Sequence, residues 1–447
     1  MITDSRVSHL VHATVEGETM FDSTTPYVKS LGNGLTLKSV GSREDVERLS
    51  LFNDSIHGGH GEGMIRMTRH LILYHPRTRP EHWIYVEDDA TGQIVSSLCL
   101  IPWVWRFDGV ELNCGEMGIV GTNEAYRGKG LIRALDAHFK ELLRAGEFDL
   151  SHIQGIPYFY RQFGYEYAMP LEGGWAVGLP MIPDTLPKQS AVYHFREATV
   201  EDLPVLMRMY EEAACDLDIS AQRTEADWRY LFDYANDTEM ACETWLVLDS
   251  ENRPVGYWRI ALYGFGEELN IHEVSRLSQP AAIAILGWLK KLTIERNKPF
   301  IRLNIPANTS LVQAARAWGA QDLGTYSWQI HLPDVARLLR KLIPVFERRI
   351  AASSFAGLTE TVRLNLYREA YDLRFESGRL TAVEPVHLKD ASGALNIPPL
   401  LFAPLVLGWR TVSDLRAAYP DVSSWGQSRY LIDTLFPRMT SFIYTIY

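Results

Sequence analysis

Residues 123–130, NEAYRGKG, stand between an apolar run, GIVGT (118–122), and a stretch of helical periodicity that opens at Leu131. A glycine-containing turn at a helix N-terminus is suited to an anion, and here to phosphate. Gly128 and Gly130 let the backbone come close, the N–H groups of the first helical turn, from Leu131 on, point outward, and the helix dipole favours negative charge there. Arg127 and Lys129 add positive charge. Neither the G-x-x-x-x-G-K-[ST] loop nor the G-x-G-x-x-G dinucleotide fingerprint is present, so the turn is of another kind. His57 and His60 in HGGHGEG lack a third ligand at a metal-binding spacing, and no metal is expected.

The elements that position this turn follow from the pattern of the chain. LTLKSV (35–40) predicts a strand and SREDVERLSLFNDSI a helix, with Ser42 as N-cap and acids in its first turn. HGGHGEG reads as a loop, HWIYVEDD (82–89) as a strand, IVSSLCLIPWVWRF as a long strand, Asp108-Gly109 as a hairpin turn and VELNCGEMGIVGT as its partner. LIRALDAHFKELLRAG then places Leu131, Leu135, Phe139, Leu142 and Leu143 at helical spacing and stops at Gly146.

This unit recurs. LTLKSVGSREDVERL is similar to YHFREATVEDLPVL (193–206), and HWIYVEDDATGQIV to ETWLVLDSENRPVG (243–256). Leu35 to Tyr193, Trp83 to Trp245 and Gly164 to Gly319 are offsets of 158, 162 and 155 residues, so the register holds. In the second copy ELNIHEVSRLSQPAAIAILGWLKK takes the place of the turn without an R-x-x-G, which predicts that cofactor binding is lost there. From about residue 346 the character changes to an amphipathic helix, a strand pair around LYREAYDLRFESGRLTAV and a final SFIYTIY read as a strand, an α+β domain without a catalytic cluster.

Composition bounds the function. At 447 residues, 46% hydrophobic and 22% charged, the chain is an ordinary globular one of about three domains at roughly 150 residues each. Lys and Arg number 44 against 55 Asp and Glu, and the net charge of −11 argues against binding nucleic acid. Four scattered cysteines and a polar N-terminus predict a cytoplasmic protein with reduced thiols. The longest uncharged apolar stretch, Ala394 to Trp409, is broken by Pro398, Pro399 and Pro404 and is too short for the roughly 20 residues of a membrane span.

Y-R-G-K-G-L resembles the pyrophosphate-binding motif of the GNAT acetyltransferases, Q/R-x-x-G-x-G/A, with Arg127 and Gly130 in place and Ile132 where a small residue is usual. IPYFYRQFGYEYA (156–168) resembles the I-Y-x-R-F-G-Y segment of the Eis (enhanced intracellular survival) type, a branch that tolerates a large residue at the position of Ile132. The resemblance implies a fold class of α/β and α+β: tandem GNAT-like units, each a mixed central sheet flanked by helices, then a sterol-carrier-like α+β domain. The expected divisions are an N-terminal arm (1–32), a catalytic unit (33–185), a degenerate unit (186–345) and the C-terminal domain (346–447). It also implies a homo-oligomer, as a hexamer, and acetyl-CoA as co-substrate, with Arg127, Gly128, Lys129, Gly130 and Leu131 holding its pyrophosphate.

Acetyl transfer from a thioester to an amine needs a neutral amine, a path for its proton and a proton for the leaving thiolate. A phenol, with an ordinary pKa of about 10, stays protonated at pH 7 and can supply the last. The resemblance gives that role to Tyr160, five residues before Tyr165. The open edge of GIVGT, by position Val120 and Thr122, can pair with pantetheine amides as an added strand would. Two bases are open: Glu116 on the same strand, acting through water, and the C-terminal carboxylate on Tyr447 that the Eis type implies. Asp54, Glu62, Trp103 and Trp105 are expected to edge the acceptor pocket, because acids with aromatics suit an ammonium group. The expected activity is transfer of acetyl to a primary amine of a small molecule or peptide, by direct attack on the thioester. The alternative is a non-catalytic protein that binds or senses acyl-CoA or lipid.

Overall fold

A computed structural model describes residues 25–58, 61–264, 266–387 and 393–447. His60 and the N-terminal arm up to residue 24 lie outside the described residues. The chain opens with strands β1 (Val28–Gly32) and β2 (Leu35–Ser39), then helix α1 (Arg43–His57), where Ser42 accepts the Asp45 N–H as the N-cap expected of it. A second helix, α2 (Gly63–Leu73), follows, with Met64, Met67, Leu71 and Ile72 buried along one face. Strands β3 (Trp83–Asp88), β4 (Gln93–Phe107) and β5 (Val110–Thr122) form the expected meander. Its hairpin turns at Asp108 and Gly109, both at positive φ, as a two-residue turn requires.

Helix α3 (Leu131–Ala145) buries Leu131, Leu135, Phe139 and Leu143 against that sheet, and Leu142 lies at the margin. Each such side chain contributes about 1.5–3 kcal/mol, so this stripe fixes the helix over the sheet. Strands β6 (Leu150–Ile153), β7 (Glu166–Pro170) and β8 (Trp175–Gly178) complete the first half.

The second half repeats the plan with β9 (His194–Glu197), α4 (Leu203–Ala214), β10 (Ile219–Ala221), α5 (Glu225–Asp233), β11 (Cys242–Leu248), β12 (Pro254–Ala261), β13 (Leu269–Val274), α6 (Gln279–Glu295), β14 (Phe300–Leu303), α7 (Ser310–Ala317), β15 (Gln321–Asp322) and β16 (Ser327–His331). In each half a long antiparallel pair, β4–β5 or β12–β13, is followed by a parallel neighbour reached through a helix, β5–β6 or β13–β14. Gly164 and Gly319, at φ +87 and +90, close the corresponding turns.

The halves exchange strands. β16 lies between β6 and β7 in the first sheet, and β8 lies between β14 and β15 in the second. β10 also joins the first sheet, antiparallel to β4. A division at residue 185 therefore follows chain order but not sheet membership.

The last third is α+β as expected. Helices α8 (Val335–Lys341) and α9 (Ile343–Ala351) precede β17 (Glu360–Asn365), β18 (Ala370–Glu376), β19 (Arg379–Val386) and β20 (Leu395–Asn396), which form one sheet in the order β19-β18-β17-β20. Helices α10 (Pro399–Val406), α11 (Val412–Ala418) and α12 (Gln427–Leu435) follow. The strand expected over SFIYTIY does not form. Ser441 makes a single bridge to Ile219, and Phe442 to Tyr447 run on buried, with side-chain packing in place of a ladder. Among the described residues no helix is long and apolar enough to cross a membrane.

Candidate active site

The turn after β5 is built as an anion cradle. Asn123 accepts the Ala125 N–H at 3.0 Å and starts a single 3-10 turn, after which Gly128 and Gly130 both take φ +78. An L side chain is strained in that conformation, which is why glycine stands at both positions. Gly130 is the N-cap of α3, no side chain caps the helix, and nothing lies within 4 Å of where a Cβ would stand on either glycine. Lys129 holds its ammonium 4.1 Å from the centre of the Tyr126 ring, whose hydroxyl donates to Asp88 at 2.7 Å. Arg127 is exposed, and its guanidinium makes a loose 3.8 Å contact to Glu124. A cleft of about 560 Å³, lined by Asp88, Tyr126, Lys129, Gly130 and Leu131 among others, opens beside the turn. The five residues expected to hold pyrophosphate therefore lie together, with no side chain capping the first turn of α3 and open space before the two glycines.

The second half lacks this arrangement. There Ser278 accepts the Ala281 N–H, so α6 is capped by its own chain and offers an anion less.

Strand β5 has a free edge. It pairs with β4 along its length, but with β6 only from Cys114 to Glu116, leaving the stretch with Val120 and Thr122 open on that side. A bulge sharpens the opening: Cys99 faces Gly118 and Ser97 faces Gly121, with Ile119 at φ +46 in between. The His57 ring bonds to the Val120 backbone and burial lowers its pKa.

Tyr160 and Glu116 flank this opening from opposite faces of the sheet. Tyr160 packs on the α3 face with Leu131, Leu135, Phe163 and Tyr165, in a 3-10 turn over Phe159–Phe163 that Gly164 ends. Burial pushes its pKa up to about 12, so the phenol stays protonated, and its hydroxyl makes no hydrogen bond among the described residues. Gly155 backs the ring, and its carbonyl accepts from the Tyr326 hydroxyl at 2.6 Å and Gln329 Nε2 at 2.9 Å. The exchanged strand β16 thus braces Tyr160.

On the other face Glu116 is buried. Its Oε2 accepts from Trp103 Nε1 at 3.0 Å and its Oε1 from the Tyr447 hydroxyl at 2.9 Å. Burial pushes its pKa up to about 8, although both hydrogen bonds favour the carboxylate. His152 Nε2 lies 3.8 Å away, and burial pushes that imidazole down to about 3, so it stays neutral.

Trp105 is fully enclosed and Trp103 nearly so, which removes Trp105 from the expected acceptor wall; Trp103 instead holds Glu116. Asp54 keeps a buried Oδ1 without a hydrogen bond, and Glu62 is exposed. Arg223, which the sequence reading passed over, is in reach of this group through the tail: its Nε and Nη2 both donate to the Thr445 carbonyl, at 3.1 and 2.5 Å.

Residues 64–168 match the family model described as the acetyltransferase (GNAT) domain. No curated protein matches the chain. Among solved structures, a probable N-acyltransferase from Enterococcus faecalis superposes with a TM-score of 0.70 at 18% identity, over 95% of this chain and 100% of the other. The GCN5-related N-acetyltransferase from Anabaena variabilis gives 0.67 at 16%, over 92% and 99%. Eis1 from Mycobacterium abscessus gives 0.61 at 16%, again over 92% and 99%. At these identities the likeness is one of fold, and it extends through all three parts of the chain.

Proposed function

We propose that this chain, which carries an acetyltransferase (GNAT) domain across residues 64–168, transfers acetyl from acetyl-CoA to a primary amine. The observation that carries the reading is the placement of two proton-handling groups, Tyr160 and the Glu116–Tyr447 pair, on either side of the free edge of β5. The Arg127–Leu131 turn receives the pyrophosphate, since its donors are uncapped and its glycines admit close approach. Val120 and Thr122 offer backbone groups to the pantetheine amides along the open edge.

The amine loses a proton as it attacks the thioester carbonyl. The Tyr447 oxygen takes that proton while its own passes to Glu116 along the 2.9 Å hydrogen bond. A carboxyl with a pKa near 8 is matched to this task near neutral pH. Tyr160 gives its proton to the departing thiolate from the opposite face. In this reading the hydroxyl of Tyr447 stands in for a water beside Glu116, and the C-terminal carboxylate of Tyr447, the other base that the resemblance implies, is not used; Thr445 Oγ1 donates to the Tyr447 main-chain oxygen at 2.8 Å.

In this reading residues 33–185 hold the catalytic unit and 186–345 a degenerate unit whose capped helix α6 binds no cofactor. Residues 346–447 form a sterol-carrier-like domain that delivers Tyr447. Release of free thiol from acetyl-CoA on addition of a polyamine, an aminoglycoside or a peptide amine tests the activity and finds the acceptor. Binding of acetyl-CoA without thiol release across such a panel would leave a binding protein instead. That alternative gives no role to Tyr160 or to a buried Glu116 with a pKa near 8.

A further inference from the structure

Arg223 and Glu273 form an ion pair with no solvent exposure, in the half of the molecule that lacks the phosphate turn. Arg223 Nη1 and Nη2 reach the two Glu273 oxygens at 2.8 and 2.6 Å, and the Tyr257 hydroxyl adds a third donor at 2.7 Å. The guanidinium also lies 4.5 Å from the centre of the Tyr210 ring and 4.7 Å from that of Trp228. Burying two charges is costly, and such a pair is often no more stabilising than apolar residues of the same volume. Stability alone is therefore a poor account of it. Nε and Nη2 have a second use, because both converge on the Thr445 carbonyl, 222 residues away in the chain. Thr445 Oγ1 in turn donates to the Tyr447 main-chain oxygen at 2.8 Å, and the Tyr447 hydroxyl meets Glu116.

We propose that Arg223 is a positioning residue for acetyl transfer: held by Glu273 on β13, it fixes the Thr445 carbonyl and so sets the Tyr447 hydroxyl on Glu116. One buried line of contacts, Glu273 to Arg223 to Thr445 to Tyr447 to Glu116, then joins the sheet of the second half to the sheet of the first through the tail of the C-terminal domain. The degenerate half contributes to catalysis by clamping the tail. A fork of donors is needed, since a lysine ammonium keeps the charge beside Glu273 but cannot place paired donors on a carbonyl at the same time. The inference rests on the Glu116–Tyr447 proton path only for its catalytic arm.

Two measurements on Arg223→Lys separate the steps. Hydrogen exchange of the amides of residues 442–447 is expected to rise at least about tenfold, with the β4 and β5 amides unchanged, because opening of this segment no longer breaks the fork. Unchanged exchange in the tail overturns the clamp, whatever the fate of the proton path. Turnover is measured with the amine that releases thiol fastest from the unaltered protein. The expected loss is about tenfold to a hundredfold in kcat, as for a group displaced by about an ångström, with the KM for acetyl-CoA unchanged.

Tyr447→Phe supplies the control. If Arg223 acts through the tail, the double variant is no slower than the slower single variant, whereas multiplied losses overturn the positioning role. Faster exchange with full turnover overturns it as well. Should Arg223→Lys not fold, Arg223→Gln alone leaves Glu273 paired with the buried Arg259, whose Nη1 stands 3.5 Å from it, and carries the same expectations. If no amine in the panel releases thiol, the proposed activity has failed, and the exchange measurement still decides the clamp.

Discussion

Gly155 lies so close against the ring of Tyr160 that a methyl group on it would overlap Cδ2 and Cε2. A glycine five residues earlier in the chain thus decides where the phenol stands. Gly155→Ala forces the ring or its 3-10 turn to shift, at a cost of about 1–3 kcal/mol for overpacking. Turnover is expected to fall as far as in Tyr160→Phe, where loss of the positioned acid costs about 10²–10⁴-fold. Calorimetry should find acetyl-CoA affinity almost unchanged in both. Near wild-type turnover in Gly155→Ala, in a protein that folds, would return Tyr160 to the packing aromatics.

Glu116 makes activity and stability move in opposite directions with pH. Its folded pKa of about 8 lies above its ordinary carboxylate value, so the native state binds the extra proton between those limits. The contribution of Glu116 to stability is therefore full below the ordinary carboxylate range and falls as pH rises toward 8, where the buried group ionises. The base form grows over the same range, so kcat is expected to rise through about pH 8. Glu116→Gln should abolish the rising limb and flatten this part of the stability profile. Denaturant titrations at pH 5, 7 and 8.5, paired with a pH–rate profile, check both. A variant that keeps the limb shows that another group accepts the proton.

What was legible in the sequence was local. The Ser42 cap, the Asp108-Gly109 hairpin, the α3 stripe and the turn from Arg127 to Gly130 depend on neighbours a few residues apart, and each stands where the pattern put it. The repeat was legible because matching strands kept their spacing. The strand exchange was not, since β8 and β16 are four and five residues long and alternation says nothing about which sheet receives them. The Glu116–Tyr447 contact spans 331 residues, and polar–apolar alternation in SFIYTIY suggested a ladder that its packing does not need. Arg223 sat in a half marked as degenerate. Its only local signal was an arginine just before a capping box, Thr224 with Asp227, at the start of α5.

The phosphate turn yields a prediction that both halves bear on. Gly130→Val places a β-branched side chain at φ +78 and moves the first donors of α3, so acetyl-CoA affinity is expected to be lost in calorimetry. Freeing the helix of the other half, by Ser278→Gly, should create no second site, because the glycines of the turn do not stand there and its one basic residue, Arg276, is paired with Asp216. A stoichiometry above one per chain in Ser278→Gly would show that the second half had kept its cofactor site behind the cap.

The exchanged strand β16 gives the last prediction. Tyr326 and Gln329 donate to the Gly155 carbonyl at 2.6 and 2.9 Å, and Gly155 in turn backs Tyr160. Tyr326→Phe combined with Gln329→Leu removes both donors while keeping side chains of similar shape, and leaves that carbonyl without its two partners. An unpaired carbonyl at a partly buried site costs about 1–3 kcal/mol and invites the loop from Gly155 to Tyr160 to rotate toward solvent. Turnover should then fall about tenfold or more, since a small displacement of the acid is enough, with acetyl-CoA affinity preserved because the Arg127–Leu131 turn lies on other elements. Each single variant keeps one donor and should lose less than the pair. Steady-state kinetics with calorimetry on the three variants decides it. Full turnover in the double variant would mean that the 3-10 turn around Tyr160 sets the phenol by itself and that the strand exchange serves only to assemble the sheets.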